Sequence, residues 1–167
     1  VSKMDIKRIR KQLSTFGVNI IGGDDEARSR YCDFLEGMEI NNLRRMYASG
    51  EHDLLEIYAK ARIIMNPEES TSRVILIRSL FKKREFEKCM HECRMLIRKE
   101  KRNIDAHRFI ARCHKEMGEI DKSIKVYEKI SSFSWKDIDS RYSLMKFYWN
   151  MRKYDIAKKY NDQILDL

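Results

Sequence analysis

The 167-residue sequence contains little proline and little glycine, one and six residues respectively. Because these residue types form the tight turns of all-β proteins, their scarcity argues against an all-β fold. The longest aliphatic run, Val74 to Ile77, is far too short to cross a bilayer. With 43% apolar residues the chain still has enough material for a core. The composition therefore predicts an all-α protein without membrane insertion.

Cysteine is also scarce, and its four copies lie within helical patterns: Cys32, Cys89, Cys93 and Cys113. This placement is typical of reduced thiols in a cytosolic protein, so we expect a cytoplasmic location. Cys89 and Cys93, with His91 between them and Cys113–His114 nearby in sequence, have a spacing that could ligate zinc. However, His91 points away from both thiols, and a free cysteine packs as a small buried apolar residue. We therefore predict core packing and no metal site.

Few residues suit catalysis, since the four histidines are scattered and no nucleophile elbow is present. Gly22-Gly23-Asp24-Asp25 lacks the Lys-Ser or Lys-Thr that follows in a phosphate loop. We interpret it as a turn before an acidic helix start, whose carboxylates cap free amide hydrogens and suit the helix dipole. We expect no enzymatic activity and no cofactor. The sequence opens without an initiator Met and stops inside a helical pattern, which predicts a fragment of a larger protein.

Acidic residues are outnumbered, with 26 Asp and Glu against 35 Lys and Arg, for a formal net charge of +9. The excess is concentrated between Arg73 and Arg102, where eleven Lys and Arg face four Glu. Such an imbalance favours an acidic protein segment or an anionic polymer as a partner. Solvated helix faces that keep the protein soluble explain it equally well.

Three short stretches of the sequence are alike: Lys83–Lys88, Met117–Lys122 and Arg152–Ala157. Their apolar centres are residues 86, 120 and 154, which are 34 residues apart, and one further step back reaches residue 52. Each copy consists of two stretches of helical period separated by a short charged turn. Neither helix can bury its apolar stripe alone, so neighbouring pairs must stack.

A period of 34 residues is that of the tetratricopeptide family, and the sequence resembles it most clearly from Ile104 to Ile130. The residues that carry the resemblance are Ala106, Ile110, Ala111, the turn Gly118–Asp121, Ser123, Tyr127 and Ile130. His107 and His114 depart from it, since they stand in the family's tryptophan and tyrosine places. The resemblance implies a right-handed superhelical solenoid of antiparallel helix pairs, with about ten helices in this chain.

The resemblance covers about residues 36–167, with four copies near 36–69, 70–103, 104–137 and 138–167. Residues 1–35 stand apart. They contain a basic helix candidate, Met4–Phe16, with Ile6, Ile9 and Leu13 along one face, and a second helix that starts at Asp24. This segment is either a pair of capping helices or the tail of a preceding domain, and we favour the cap.

Within the resemblance, the first helix of each pair lines a concave groove. At one groove position the four copies carry cations: Arg44, Arg78, Arg112 and Lys146. Three residues further along each helix, on the same face, stand Tyr47, Phe81, Lys115 and Trp149. Arginine binds carboxylates and phosphates bidentately, and aromatic rings stack on flat ligand groups. We predict that these eight residues form a ligand groove.

The sequence therefore favours a non-catalytic interaction module that binds an acidic peptide or a neighbouring domain through this basic groove. Three alternatives stay open, one of which is that the array only spaces two halves of a larger enzyme or mediates dimerisation. The array could be an accessory domain of a bacterial enzyme of polysaccharide biosynthesis, where it holds a capsule-like or teichoic-acid-like anionic polymer. It could also bind single-stranded nucleic acid, which basic tracks with stacking rings are known to hold.

Overall fold

The computed structural model describes residues 6–17 and 23–166, which form ten α-helices and contain no β-strand. The helices are α1 (Ile6–Thr15), α2 (Asp24–Gly37), α3 (Ile40–Ser49), α4 (His52–Met65), α5 (Thr71–Lys82), α6 (Phe86–Lys99), α7 (Ile104–Glu116), α8 (Ile120–Phe133), α9 (Ile138–Asn150) and α10 (Tyr154–Leu165). The all-α prediction of about ten helices is confirmed. None of these described helices has both the length and the apolarity of a membrane span.

The repeat is visible in the helix boundaries and in the turns. The second helices of the four copies, α4, α6, α8 and α10, begin at residues 52, 86, 120 and 154, the positions of the 34-residue recurrence. Each is preceded by a residue with positive φ: Gly50 (83°), Arg84 (60°), Gly118 (79°) and Arg152 (59°). A left-handed residue after a helix ends that helix and reverses the chain. Every copy therefore uses the same turn.

The chain divides into two compact units, residues 1–83 and 84–167. In the first, a hydrophobic cluster joins α1, α2 and α4; its buried members are Leu13, Tyr31, Phe34, Met38 and Ala61. The two N-terminal helices therefore pack on the first repeat, and the interpretation of residues 1–35 as a cap stays a prediction. The predicted face of α1 is described only at Leu13, because the side chains of Ile6 and Ile9 lie outside the described residues.

The start of α2 differs from the prediction in one respect. Asp24, Asp25 and Glu26 occupy its first turn, but no side chain caps the helix. Asp24 instead lies 3.5 Å from the guanidinium of Arg10 on α1. The acidic residues thus complement the helix dipole without capping an amide hydrogen.

Polar contacts join α4 and α5 in the first unit. The Lys83 ammonium lies 3.0 Å from Glu56 and 2.7 Å from Asp53. Burial alone would raise the pKa of Glu56, but hydrogen bonds from Lys60 and Lys83 hold that pKa below its ordinary value. These two cations are therefore used within the fold.

The second unit has its own core, in which α7, α8 and α9 contribute Ala111, Ile124, Tyr127, Ile130, Leu144 and Phe147. The Ser123 hydroxyl donates to the carbonyl oxygen of Ala111 at 2.8 Å, which satisfies the buried hydroxyl where α7 and α8 meet. On the far side of α9, the Tyr148 ring stacks on Tyr160 of α10 at 5.8 Å. Short turns join these packed helices, so consecutive helices run antiparallel.

Gly37, the last residue of α2, is buried against the Tyr58 ring, and a Cβ added there would lie 2.6 Å from that ring. We expect Gly37→Ala to lower the free energy of unfolding by about 1–3 kcal/mol through overpacking. Urea denaturation measures this change in the free energy of unfolding. In a Tyr58→Leu background the same change should be neutral or stabilising, because the clash is gone and alanine favours helix. An equal cost in both backgrounds would contradict the close approach.

Arg152 holds a left-handed backbone conformation that disfavours a side chain. We expect Arg152→Gly to raise the free energy of unfolding by about 0.5–1 kcal/mol relative to Arg152→Ala, because only glycine relieves the strain. The alanine variant is the matched control, since both changes remove the same charge. Equal stabilities of the two variants in thermal denaturation would show that this turn is unstrained.

Candidate functional site

A cleft of about 250 Å³ in the first unit is lined by residues of α3 and α5: Arg44, Tyr47, Thr71, Val74, Ile75 and Arg78. Three of the eight predicted groove residues, Arg44, Tyr47 and Arg78, therefore surround one cavity. Both arginines are exposed, whereas Val74 is half-buried and Ile75 is buried. The cleft thus has an apolar floor and a cationic rim.

A chain of contacts that joins α3, α4 and α5 positions the Tyr47 ring. It meets the His52 ring edge-on at 5.8 Å, and His52 Nδ1 lies 2.9 Å from the Ser79 hydroxyl. His52 begins α4 and Ser79 is buried in α5. The Lys82 ammonium lies 6.0 Å from the centre of the Tyr47 ring and adds a third cation near the rim.

The size of the cleft limits what it can hold. Pockets for cofactors or drug-sized ligands usually enclose about 300–1,000 Å³, so this cleft fits one or two side chains rather than a cofactor. Two guanidinium groups suit a carboxylate or phosphate, and the Val74–Ile75 floor suits an aliphatic group. The Thr71 hydroxyl offers one neutral hydrogen bond. The combination matches an acidic segment that also carries an apolar side chain.

The remaining predicted groove residues are distributed differently. Arg112 and Lys146 are exposed on α7 and α9, where each cation lies over a ring of its own helix. The Arg112 guanidinium is 5.3 Å from the Phe109 ring, and the Lys146 ammonium is 4.6 Å from the Tyr142 ring. Lys115 is also exposed.

The two remaining predicted aromatic residues differ in exposure. Trp149 is 61% exposed and meets Tyr154 edge-on at 5.0 Å. Phe81 is half-buried and does not line the cleft of the first unit. That Arg112, Lys115, Lys146, Phe81 and Trp149 contact a ligand stays a prediction.

The sequence analysis did not find the cleft residues Thr71 and Val74. It also did not find His52 and Ser79, which hold the Tyr47 ring. Thr71 and Val74 precede Arg78 by seven and four residues, so helical spacing alone places them on its face and could have found them. His52 and Ser79 could not be found in this way, because their contact joins residues 27 positions apart.

One cation near the predicted groove is engaged inside the fold. Arg108 on α7 forms ion pairs with the buried Asp137, with Asp139 at 3.1 Å and with Asp105 at 3.5 Å. These three ion pairs tie α7 to the start of α9 and to its own first turn. Arg108 is therefore a structural residue, although its charge counts toward the basic composition.

The predicted core role of the cysteines agrees with their burial, since Cys89, Cys93 and Cys113 are buried free thiols. A hydrogen bond with Cys113 lowers the pKa of Cys89, but the hydrogen bond with Cys93 and burial outweigh it and raise that pKa to about 12. The hydrogen bond with Cys89, followed by burial, raises the pKa of Cys113. His91 is exposed, away from these thiols. Within residues 6–17 and 23–166 no group of three metal-ligating side chains is placed to hold an ion.

No family model and no curated protein matches the sequence. Solved structures do match. A crystal structure of MamA, a protein that contains tetratricopeptide repeats, aligns over 98% of this chain and 94% of its own, with 21% identity and a TM-score of 0.68. The fold is tetratricopeptide-like. A second MamA crystal structure aligns over 98% and 88% of the two chains, with 20% identity and a TM-score of 0.63. A structure titled MamA RS-1 ArsTM double mutant aligns over 96% and 91%, with 12% identity and a TM-score of 0.60. At these identities the likeness shows the fold alone.

Thiol titration with an aromatic disulfide reagent tests the cysteine cluster. We expect one fast thiol, the half-buried Cys32, and three that react only on unfolding. Raising the pH from neutral to about 9 should hardly accelerate Cys89, because its pKa of about 12 keeps it protonated. Cys32→Ser is the control and should remove the fast phase. A second fast thiol in the folded Cys32→Ser variant would contradict the buried cluster.

Proposed function

We propose that this protein is a non-catalytic interaction module whose cleft between α3 and α5 binds an acidic peptide segment of a partner or of a neighbouring domain. The observation that carries the proposal is the convergence of Arg44, Arg78 and Tyr47 on one cavity with an apolar floor. The tetratricopeptide-like fold is consistent with this role, although a fold by itself does not fix a function.

The chemistry of the rim favours a carboxylate-bearing ligand. Each guanidinium presents a planar set of donors that matches a carboxylate, and hydrogen bonds between charged groups are stronger than neutral ones. Lys82, near the Tyr47 ring, increases the local positive potential. An acidic ligand is thus attracted before it makes contact, which raises its association rate.

The floor of the cleft favours a peptide over a bare anion. Val74 and Ile75 offer apolar surface that an ion cannot use, whereas an aliphatic side chain between two acidic residues would cover it. The wall formed by Tyr47 is held by His52, so little ordering is needed when a ligand binds.

An anionic polysaccharide is the second candidate, and the exposed rings of the second unit favour it. Trp149 and Tyr142 are both about half exposed or more, and Lys146 lies over the Tyr142 ring. Flat rings beside a cation can stack on sugars while the cation binds a phosphate or carboxylate. Salt separates the candidates, since polymer binding that neutralises many charges falls more steeply with salt concentration.

The double variant Arg44→Glu with Arg78→Glu tests the proposed function. The probe is a fluorescein-labelled peptide of alternating glutamate and leucine, and binding is measured by fluorescence anisotropy. We expect about tenfold or weaker affinity, because two charge-assisted contacts become repulsive. Circular dichroism should remain that of the parent protein, since both side chains are exposed.

Lys125→Glu with Lys129→Glu is the matched control, because these exposed cations lie on α8 and the change in net charge is the same. We expect the control to retain peptide binding. Equal loss in both double variants would show that net charge rather than the cleft attracts the peptide. Unchanged binding in the cleft variant would sink the proposed function.

A further inference from the structure

A concentration of positive charge lies outside the cleft, on α6 and the turn that follows. From residue 94 to residue 102 the chain has five cations against a single Glu100. We name these five residues the α6 basic patch: Arg94, Arg98, Lys99, Lys101 and Arg102. All five are exposed. The opposite face of α6 is buried through Cys89, Met90, Cys93 and Leu96.

Cations such as Lys83 and Arg108 are engaged by carboxylates, and four cations of the patch are not. Within the described ranges 6–17 and 23–166, no ion pair to a carboxylate involves Arg94, Arg98, Lys101 or Arg102. Arg98 makes one weak contact, to the sulfur of Met95 at 3.5 Å. The positive charge at this surface is therefore not cancelled locally.

Helix stability explains only part of the patch. Cations in the last turn of a helix complement its dipole, which accounts for Arg98 and Lys99. Arg94 lies before the last turn, and Lys101 and Arg102 lie beyond the end of the helix. The turn that carries them is fixed, because Asn103 donates its backbone N–H to Glu100 at 2.9 Å and His107 Nε2 contacts the Lys101 carbonyl at 3.1 Å.

The other side chains of this surface narrow the class of partner. From residue 94 to residue 102 no apolar side chain is exposed, whereas the centre of an interface with a folded protein is usually apolar or aromatic. No aromatic ring is available to stack on the bases of a single strand. A helix with one exposed face can enter a major groove, so the experiment below includes a duplex DNA as a competing ligand.

A flat anionic surface satisfies all these features. We propose that the α6 basic patch docks the protein on the phosphate-bearing headgroups of an anionic lipid bilayer, by charge and without insertion. Clustered Lys and Arg bind such surfaces over about one Debye length, roughly 8 Å at physiological ionic strength. This binding uses a surface other than the cleft, so the two proposals stand or fall separately.

Vesicle co-sedimentation tests the proposal. We expect the parent protein to sediment with vesicles of phosphatidylcholine and phosphatidylserine, and not with phosphatidylcholine alone. Arg94→Glu with Arg98→Glu should weaken this binding about tenfold or more, and added salt should weaken that of the parent protein. The matched control is Arg44→Glu with Arg78→Glu, which lowers the formal net charge of +9 by the same four charges.

The proposal predicts that the two variants lose different activities. The α6 variant should lose vesicle binding and retain binding of the acidic peptide. The cleft variant should lose peptide binding and retain vesicle binding. Equal loss of vesicle binding in both variants would overturn it, because net charge would then suffice. Failure of the parent protein to bind anionic vesicles would also overturn it. The same holds if the protein binds a duplex DNA oligonucleotide through Arg94 and Arg98 in preference to vesicles. Circular dichroism of both variants confirms that they fold.

Discussion

The structure depends on the burial of one apolar stripe by each of ten short helices. Helices of ten to fourteen residues are marginal alone in water, so their stability must come from packing against neighbours. The first unit meets this requirement with a cluster that ties α1 and α2 to α4, and the second with a core that α7, α8 and α9 share. The cleft is a consequence of this packing, because α3 and α5 bury Leu43 and Leu76 and still leave Arg44, Tyr47 and Arg78 to line one cavity.

The need to bury an apolar stripe also explains how much of the fold could be predicted from the sequence. A stripe that must be buried in every copy recurs in the sequence, and the 34-residue recurrence coincides with the observed starts of α4, α6, α8 and α10. The left-handed turns were harder to foresee. Gly50 and Gly118 predict such a turn, because glycine readily adopts positive φ. Arg84 and Arg152 do not predict it, because arginine is not expected at positive φ.

The candidate site was predictable only along each helix. Spacing on one helix relates Arg78 to Val74, and the repeat relates Arg44 to Arg78, so both arginines of the cleft were found. Contacts between helices carry no such trace. That Tyr47 rests on His52 and that Gly37 makes room for Tyr58 depends on side-chain packing across helices, which residue spacing along the chain does not reveal.

Composition counts every cation alike, but the fold uses them in two ways. Lys83 and Arg108 are each engaged by two or more carboxylates, so they join helices and add little to the field outside the protein. Arg44 and Arg94 face water without a carboxylate partner in the described residues, and so retain their full charge. Because Coulomb attraction at the surface is weak unless several like charges act together, a partner would recognise the cleft or the α6 basic patch as a group and not the protein's charge as a whole.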